Sequence, residues 1–84
     1  MSDRVLAEAA RRTGIRELLP GRTSRGDVAN SIEALIVYSW LNKQLTLEES
    51  VEILAAKADD PAEAVSLLVR EILKRIGTQL HETN

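Results

Sequence analysis

IEALIVYSWL, residues Ile32 to Leu41, decides the fold of this 84-residue chain. Only Glu33 is charged, every residue except Glu33 and Ser39 is apolar, and both aromatic residues of the chain, Tyr38 and Trp40, lie within it. At about 100° per residue, Ile32, Leu35, Ile36 and Ser39 share one face with Trp40 at its edge, while Ala34, Val37, Tyr38 and Leu41 occupy the others. A helix that is apolar all round needs cover all round. The β-branched Ile36 and Val37 would suit a buried strand, but ten residues is long for one and both flanks read as helical. The stretch is therefore expected to be a central helix running from Val28 to about Leu41. Asp27 would be its N-cap and Asn42 the left-handed residue that ends it. Ser39, facing the core, is expected to bond back to the Leu35 carbonyl. Tyr38 and Trp40 need a partner or a wet edge for their polar tips. With Val37 and Leu41 they form the candidate interface: Val37, Tyr38, Trp40 and Leu41.

Towards the carboxyl end the signals are local and clear. Thr46, Leu47, Glu48 and Glu49 read as a capping box that opens a helix whose apolar set is Leu47, Val51, Ile53, Leu54, Ala55 and Ala58. Asp60, Pro61 and Glu63 repeat the device, with Asp60 at the cap, Pro61 at the first helical position and Glu63 reaching back. Val65, Leu68, Val69, Ile72, Leu73 and Ile76 then recur at three-four spacing as a broad core-facing stripe, and Gly77 is expected to stop the helix. Residues 78–84, TQLHETN without its preceding glycine, read as a polar tail.

Towards the amino end, Ser2 or Asp3 caps a helix running to Thr13, with Val5, Leu6, Ala9 and Ala10 as a narrow stripe and Gly14 at its stop. IRELLP, residues 15–20, has room for one more helical turn before Pro20 and Gly21, and GRTSRGD is a loop. Arg4, Glu8 and Arg12 stand at successive i,i+4 spacings, which favours intrahelical pairing. The competing reading gathers Arg4, Arg11, Arg12 and Arg16, with Arg22 and Arg25 of the loop, into a phosphate-binding surface. Residues 1–26 carry a net +3 and residues 27–84 a net −5. Such a split suits either a nucleic-acid-binding arm on an acidic body or two surfaces that attract each other within a dimer.

Size and composition bound the rest. A chain this short buries only around 60% of its unfolded surface. Without cysteine it has no disulfide or thiolate metal site, so oligomerisation is the stabilising device left. Four glycines, two prolines and no phenylalanine, with abundant Ala, Leu, Glu and Arg, favour helix over sheet. The expected fold is all-α, a small bundle of four to five helices forming a homodimer. Residues 1–77 would make one domain, with a basic helix and loop at 1–26, an acidic three-helix body at 27–77, and the tail at 78–84. No apolar run reaches the ~18 residues of a membrane span, and residues 1–20 lack the apolar core of a signal peptide, so a cytoplasmic protein is expected.

Residues 34–56, ALIVYSWLNKQLTLEESVEILAA, join an apolar helix, a polar break with Lys43, the run L-T-L-E-E and an aliphatic helix. This order resembles the helix-turn-helix core of small antitoxin-type proteins and transcription regulators. The resemblance implies a DNA-binding dimer that also binds a partner protein. In such motifs the first residues of the following helix enter the major groove. Here those are Asp59, Asp60 and Glu63, so the arginines Arg4, Arg11, Arg12, Arg16, Arg22 and Arg25 would carry the contact with phosphate.

Catalysis needs a nucleophile beside a base or paired carboxylates in a pocket. His81 is the sole histidine, Asp60 is committed to capping, and GRTSRGD lacks both the lysine and the preceding strand of a phosphate loop. The expected function is thus a non-enzymatic protein-interaction module, a homodimer or complex subunit with an unidentified protein partner, with no cofactor and no metal. The alternative is a small helix-turn-helix DNA-binding regulator.

Overall fold

The computed structural model describes residues 3–15 and 25–82, the side chains of Arg25 and of residues 78–82 excepted. Four helices follow one another: α1 (Asp3–Thr13), α2 (Arg25–Leu41), α3 (Leu47–Ala56) and α4 (Pro61–Glu82), with no strand among the described residues. The protein is a small all-α bundle. The expected extra turn over residues 16–20 and most of the loop after it lie outside the described residues.

The hub of this bundle is α4, which touches all three other helices, and not the apolar α2. Its stripe fills the core as expected: Val65, Leu68, Val69 and Ile72 are buried, with Leu73 and Ile76 packed against them. α1 is docked, not a free arm. Leu6, Ala9 and Ala10 are buried, and the two alanines let its backbone approach α2 and α4 closely. Gly14 takes a φ of 77°, the left-handed region in which a Cβ would be strained, and Ile15 closes over the core behind it. From α2 come Val28, Ala29, Ile32 and Ile36, and the α2–α3 turn adds Leu45.

Several local expectations are corrected. α2 begins at Arg25, so Asp27 is not its N-cap but lies in the first turn, where its carboxylate still favours the positive end of the helix dipole. Lys43, with φ 57°, is the left-handed residue after α2, not Asn42. The amide of Lys43 donates to the Trp40 carbonyl (3.2 Å) and that of Gln44 to the Ser39 carbonyl (2.9 Å), the paired bonds of a Schellman end, and they set the left-handed position one residue later. The buried Ser39 hydroxyl donates to the carbonyl of Ile36 at 2.6 Å, one residue closer than Leu35. The α4 cap forms at Asp60, whose Oδ1 accepts from the Glu63 amide (3.2 Å), but the Glu63 carboxylate turns away to two arginines. Gly77 does not stop α4, which continues through Glu82, so residues 78–82 are helix and not tail and the backbone of His81 lies in it. A lone glycine removes no backbone hydrogen bond, and its cost of about 1 kcal/mol relative to alanine is too small to end a helix.

Two ion-pair networks hold the helices together, joining residues far apart in the chain. At the end of α1, Arg12 bonds Glu8 (3.0 Å) and reaches across to Glu63 (3.1 Å) and Asp60 (3.7 Å) at the start of α4. Arg70 meets Glu63 and donates to the Arg12 carbonyl at 3.2 Å, satisfying one of the unpaired acceptors at the α1 terminus. On the other side, Arg75 of α4 binds Glu49 of α3 (2.6 Å), Glu71 (3.0 Å) and the Gln44 carbonyl (2.8 Å). The basic amino end and the acidic body thus attract each other within one chain.

Candidate interaction surface

The capping box of α3 forms as its spacing requires. The Glu49 amide donates to Thr46 Oγ1 (3.0 Å), and the Thr46 amide donates to Glu49 Oε1 (3.1 Å). Arg75 then holds Glu49 at 2.6 Å, which marks the side of α3 that faces α4. The residue it buries is Ser50, with Ile53 and Leu54 half-buried beside it, while Leu47, Val51, Ala55 and Ala58 face solvent. The expected apolar set of α3 is therefore split. Leu47 (62% exposed) and Val51 (57%), one helical turn apart, are on the outside.

These two residues continue a surface begun on α2. Val37, Tyr38 and Leu41 are uncovered, Leu41 to 77%, and Trp40 is exposed at 38%. The four residues proposed from sequence as an interface are thus all at the surface. The Trp40 ring is fixed between the two helices: Nε1 donates to Ser50 Oγ at 2.9 Å, and Ser50 Oγ donates in turn to the Thr46 carbonyl at 3.0 Å. With its one donor satisfied, the ring presents an apolar face. It forms one wall of a groove of about 470 Å³ lined also by Lys43, Leu45, Thr46 and Leu47. The groove joins the exposed end of α2 to the start of α3. Sequence reading missed Leu47 and Val51 as surface residues because α3 is apolar on several sides. The i,i+4 pair itself was visible, and only the packing of Ile53 and Leu54 against the core shows which way it points.

The arginines proposed for phosphate contact are distributed differently. Arg11 is bound through two nitrogens to Glu8, both at 2.7 Å, and Arg12 is shared among Glu8, Glu63 and Asp60. These arginines hold the Glu8 carboxyl down at about 2, the Arg11 hydrogen bond contributing most and Arg12 next. Glu49 is likewise held at about 2, chiefly by Arg75 and then by the Thr46 amide. Arg4 is exposed on α1. Arg16 and Arg22 lie outside the described residues, and Arg25 opens α2 with its side chain outside them.

The buried hydroxyls of Ser39, Ser50 and Ser66 are each donated to a carbonyl of their own helix or its cap. Among the described residues, no three His, Asp or Glu side chains converge where they could hold a metal ion, and no helix is long and apolar enough to cross a membrane.

Comparison with curated proteins and with solved structures gives no match. The family model described as Ribonuclease III matches residues 1–80, taking in all four helices almost to the end of α4. With so nearly the whole chain aligned, the protein belongs to the ribonuclease III family.

Proposed function

We propose that this chain is a protein-interaction module of its family, a homodimer or a subunit of a complex, that works through the α2–α3 face and does not itself cleave RNA. The observation that carries this reading is the exposure of six large apolar side chains on α2 and α3, Val37, Tyr38, Trp40, Leu41, Leu47 and Val51, with Trp40 and Leu47 lining one groove. Large apolar side chains clustered at this density are rare on a protein that stays alone in water. An 84-residue chain with no cysteine also gains more from association than a larger domain would. The test replaces Leu41 and Leu47 together by aspartate. Both are exposed, so the variant is expected to keep the helical circular dichroism and melting temperature of the wild type, and to lose the association expected of the wild type in sedimentation equilibrium at micromolar concentration. Association unchanged in the variant overturns the assignment of this face. Cleavage of a labelled RNA by purified protein in the presence of magnesium or manganese overturns the non-enzymatic part.

The family name supports a second reading, contact with nucleic acid, and favours RNA over the DNA expected of a helix-turn-helix regulator. Arg4, Arg16, Arg22 and Arg25 are the candidates for it. Arg11 and Arg12 would first have to leave their carboxylates, and the start of α4, the would-be DNA-reading end, carries Asp60 and Glu63 already engaged by Arg12. Retention of duplex RNA or DNA that weakens steeply from low to moderate salt supports this reading; no retention at low salt ends it.

A further inference from the structure

We infer that the groove between the end of α2 and the start of α3 is a binding site for a free alkyl carboxylate of about ten carbons, its chain against Trp40, Leu45 and Leu47 and its carboxylate on the Lys43 ammonium. This goes beyond the reading of the α2–α3 face as an interaction surface and does not depend on it, since such a ligand can bind whether or not a protein does.

The first observation is size and lining. The groove has a volume of about 470 Å³. At about 30 Å³ for a water-sized group it has room for roughly fifteen, enough for a ten-carbon carboxylate of about a dozen non-hydrogen atoms. Small-molecule sites are largely apolar clefts in this size range, with a few polar groups that fix the ligand's orientation. Leu45 is buried and forms the floor, Leu47 stands exposed beside it, and Trp40 supplies a flat wall. An unbranched chain lies along such a trough with its methylene groups in contact with all three.

The second is the accounting of polar side chains in the lining, which leaves one uncommitted. Trp40 Nε1 is spent on Ser50 Oγ at 2.9 Å, and Thr46 Oγ1 on the capping box, where it accepts from the Glu49 amide at 3.0 Å. The Lys43 side chain makes no ion pair or hydrogen bond among the described residues. An apolar groove whose only uncommitted group is a single cation suits a ligand with an apolar body and one negative charge. A phosphate dianion fits it poorly. Its second charge meets no second cation in the lining, and the exposed Glu48 next to Leu47 repels it.

The third is the backbone that carries this cation. Lys43 has a φ of 57° and is the one non-glycine residue with a positive φ among the described residues. Glycine or asparagine ordinarily fills such a position, as Gly14 does after α1. A side chain kept on strained backbone points to a use for that side chain, and here the strain puts an ammonium into the lining of an apolar groove.

The test uses the full chain and the emission of Trp40, its sole tryptophan. Sodium decanoate and decylammonium chloride, which share a chain and differ in the sign of the head group, are titrated below their micelle concentrations in about 0.15 M salt. Merely apolar binding to a protein of net charge −2 would favour the cation, so a preference for the anion reports the site. Decanoate is expected to shift the Trp40 emission with a dissociation constant on the order of 0.1 mM and to bind about 5-fold more tightly than decylammonium. Lys43→Gln, which keeps a Cβ on the left-handed backbone, is expected to remove that preference. Leu47→Asp, at an exposed position, is expected to abolish decanoate binding while the helical circular dichroism is unchanged. Decylammonium binding as tightly as decanoate, or a decanoate affinity unaltered in Lys43→Gln, overturns the anion site. No change in Trp40 emission up to about 1 mM decanoate, or the same change in Leu47→Asp, overturns the groove as a site altogether. Sedimentation equilibrium without ligand reads the interaction surface separately, so either reading can fail while the other stands.

Discussion

Replacing Ile72 by alanine tests the core on which every other statement depends. Ile72 is 0% exposed on α4, the helix that touches all the others, within the cluster of Leu68, Val69 and Ile36. The substitution removes three carbons, about 2.4 kcal/mol at ~0.8 kcal/mol for each. A residual cavity of about 50 Å³ adds roughly 1 kcal/mol more. The total, about 3 to 4 kcal/mol, is to be set against a net stability on the order of 4 to 13 kcal/mol for a domain of this size. At about 4 to 8 °C per kcal/mol, the melting temperature falls by roughly 12 to 30 °C. Urea denaturation followed by far-ultraviolet circular dichroism measures the same loss. All proteins are compared at one concentration, because association would add to apparent stability. Ile72→Val, which removes a single carbon, serves as the graded control at about 0.5 to 1.5 kcal/mol. An alanine variant melting within about 5 °C of wild type would refute the packing, since a residue removed from water on all sides cannot be truncated so cheaply.

Two further predictions follow from local geometry. Gly77→Ala should raise stability by about 0.5 to 1 kcal/mol, because α4 runs past this position and an added Cβ meets nothing within 4 Å. If the helix instead ended at Gly77, thermal denaturation would show no gain or a loss. Glu8 and Glu49 are held at about 2, below the ordinary 4.5. Each therefore contributes stability that is complete above about pH 4.5 and is lost as the pH falls towards 2. The melting temperature should be flat between pH 6 and 8 and should drop across that acid window, less so in Glu49→Gln. A melting temperature independent of pH from 5 to 2 would show that the arginine pairs do not persist in solution.

Much of this architecture could be read without coordinates, and the reason is range. The Thr46–Glu49 box, the Asp60–Pro61 start, the Gly14 stop and the stripe from Val65 to Ile76 are patterns within one or two helical turns, where a residue's neighbours are set by 3.6-residue geometry alone. The exposure of Val37, Tyr38, Trp40 and Leu41 was legible for a related reason: α2 is apolar on more sides than the other helices cover. Where reading failed locally, two compatible choices differed by little. Asn42 and Lys43 can each take the left-handed turn, Ser39 can reach either of two carbonyls, and a single glycine such as Gly77 can end a helix or be carried through it.

The sequence by itself determined an all-α chain, the ends of most of its helices, and a surplus of apolar surface on α2. Only the tertiary structure decided how α3 is rotated and where the arginines go. Arg75 reaches Glu49, 26 residues away, and the Gln44 carbonyl, 31 away, while Arg12 reaches Glu63 across 51. No periodicity encodes such pairs, because they depend on how the helices lie against one another. With Ile53 and Leu54 packed against the core and Arg75 on Glu49, Ser50 lies inward and Leu47 and Val51 outward, which adds exposed apolar side chains of α3 to those of α2.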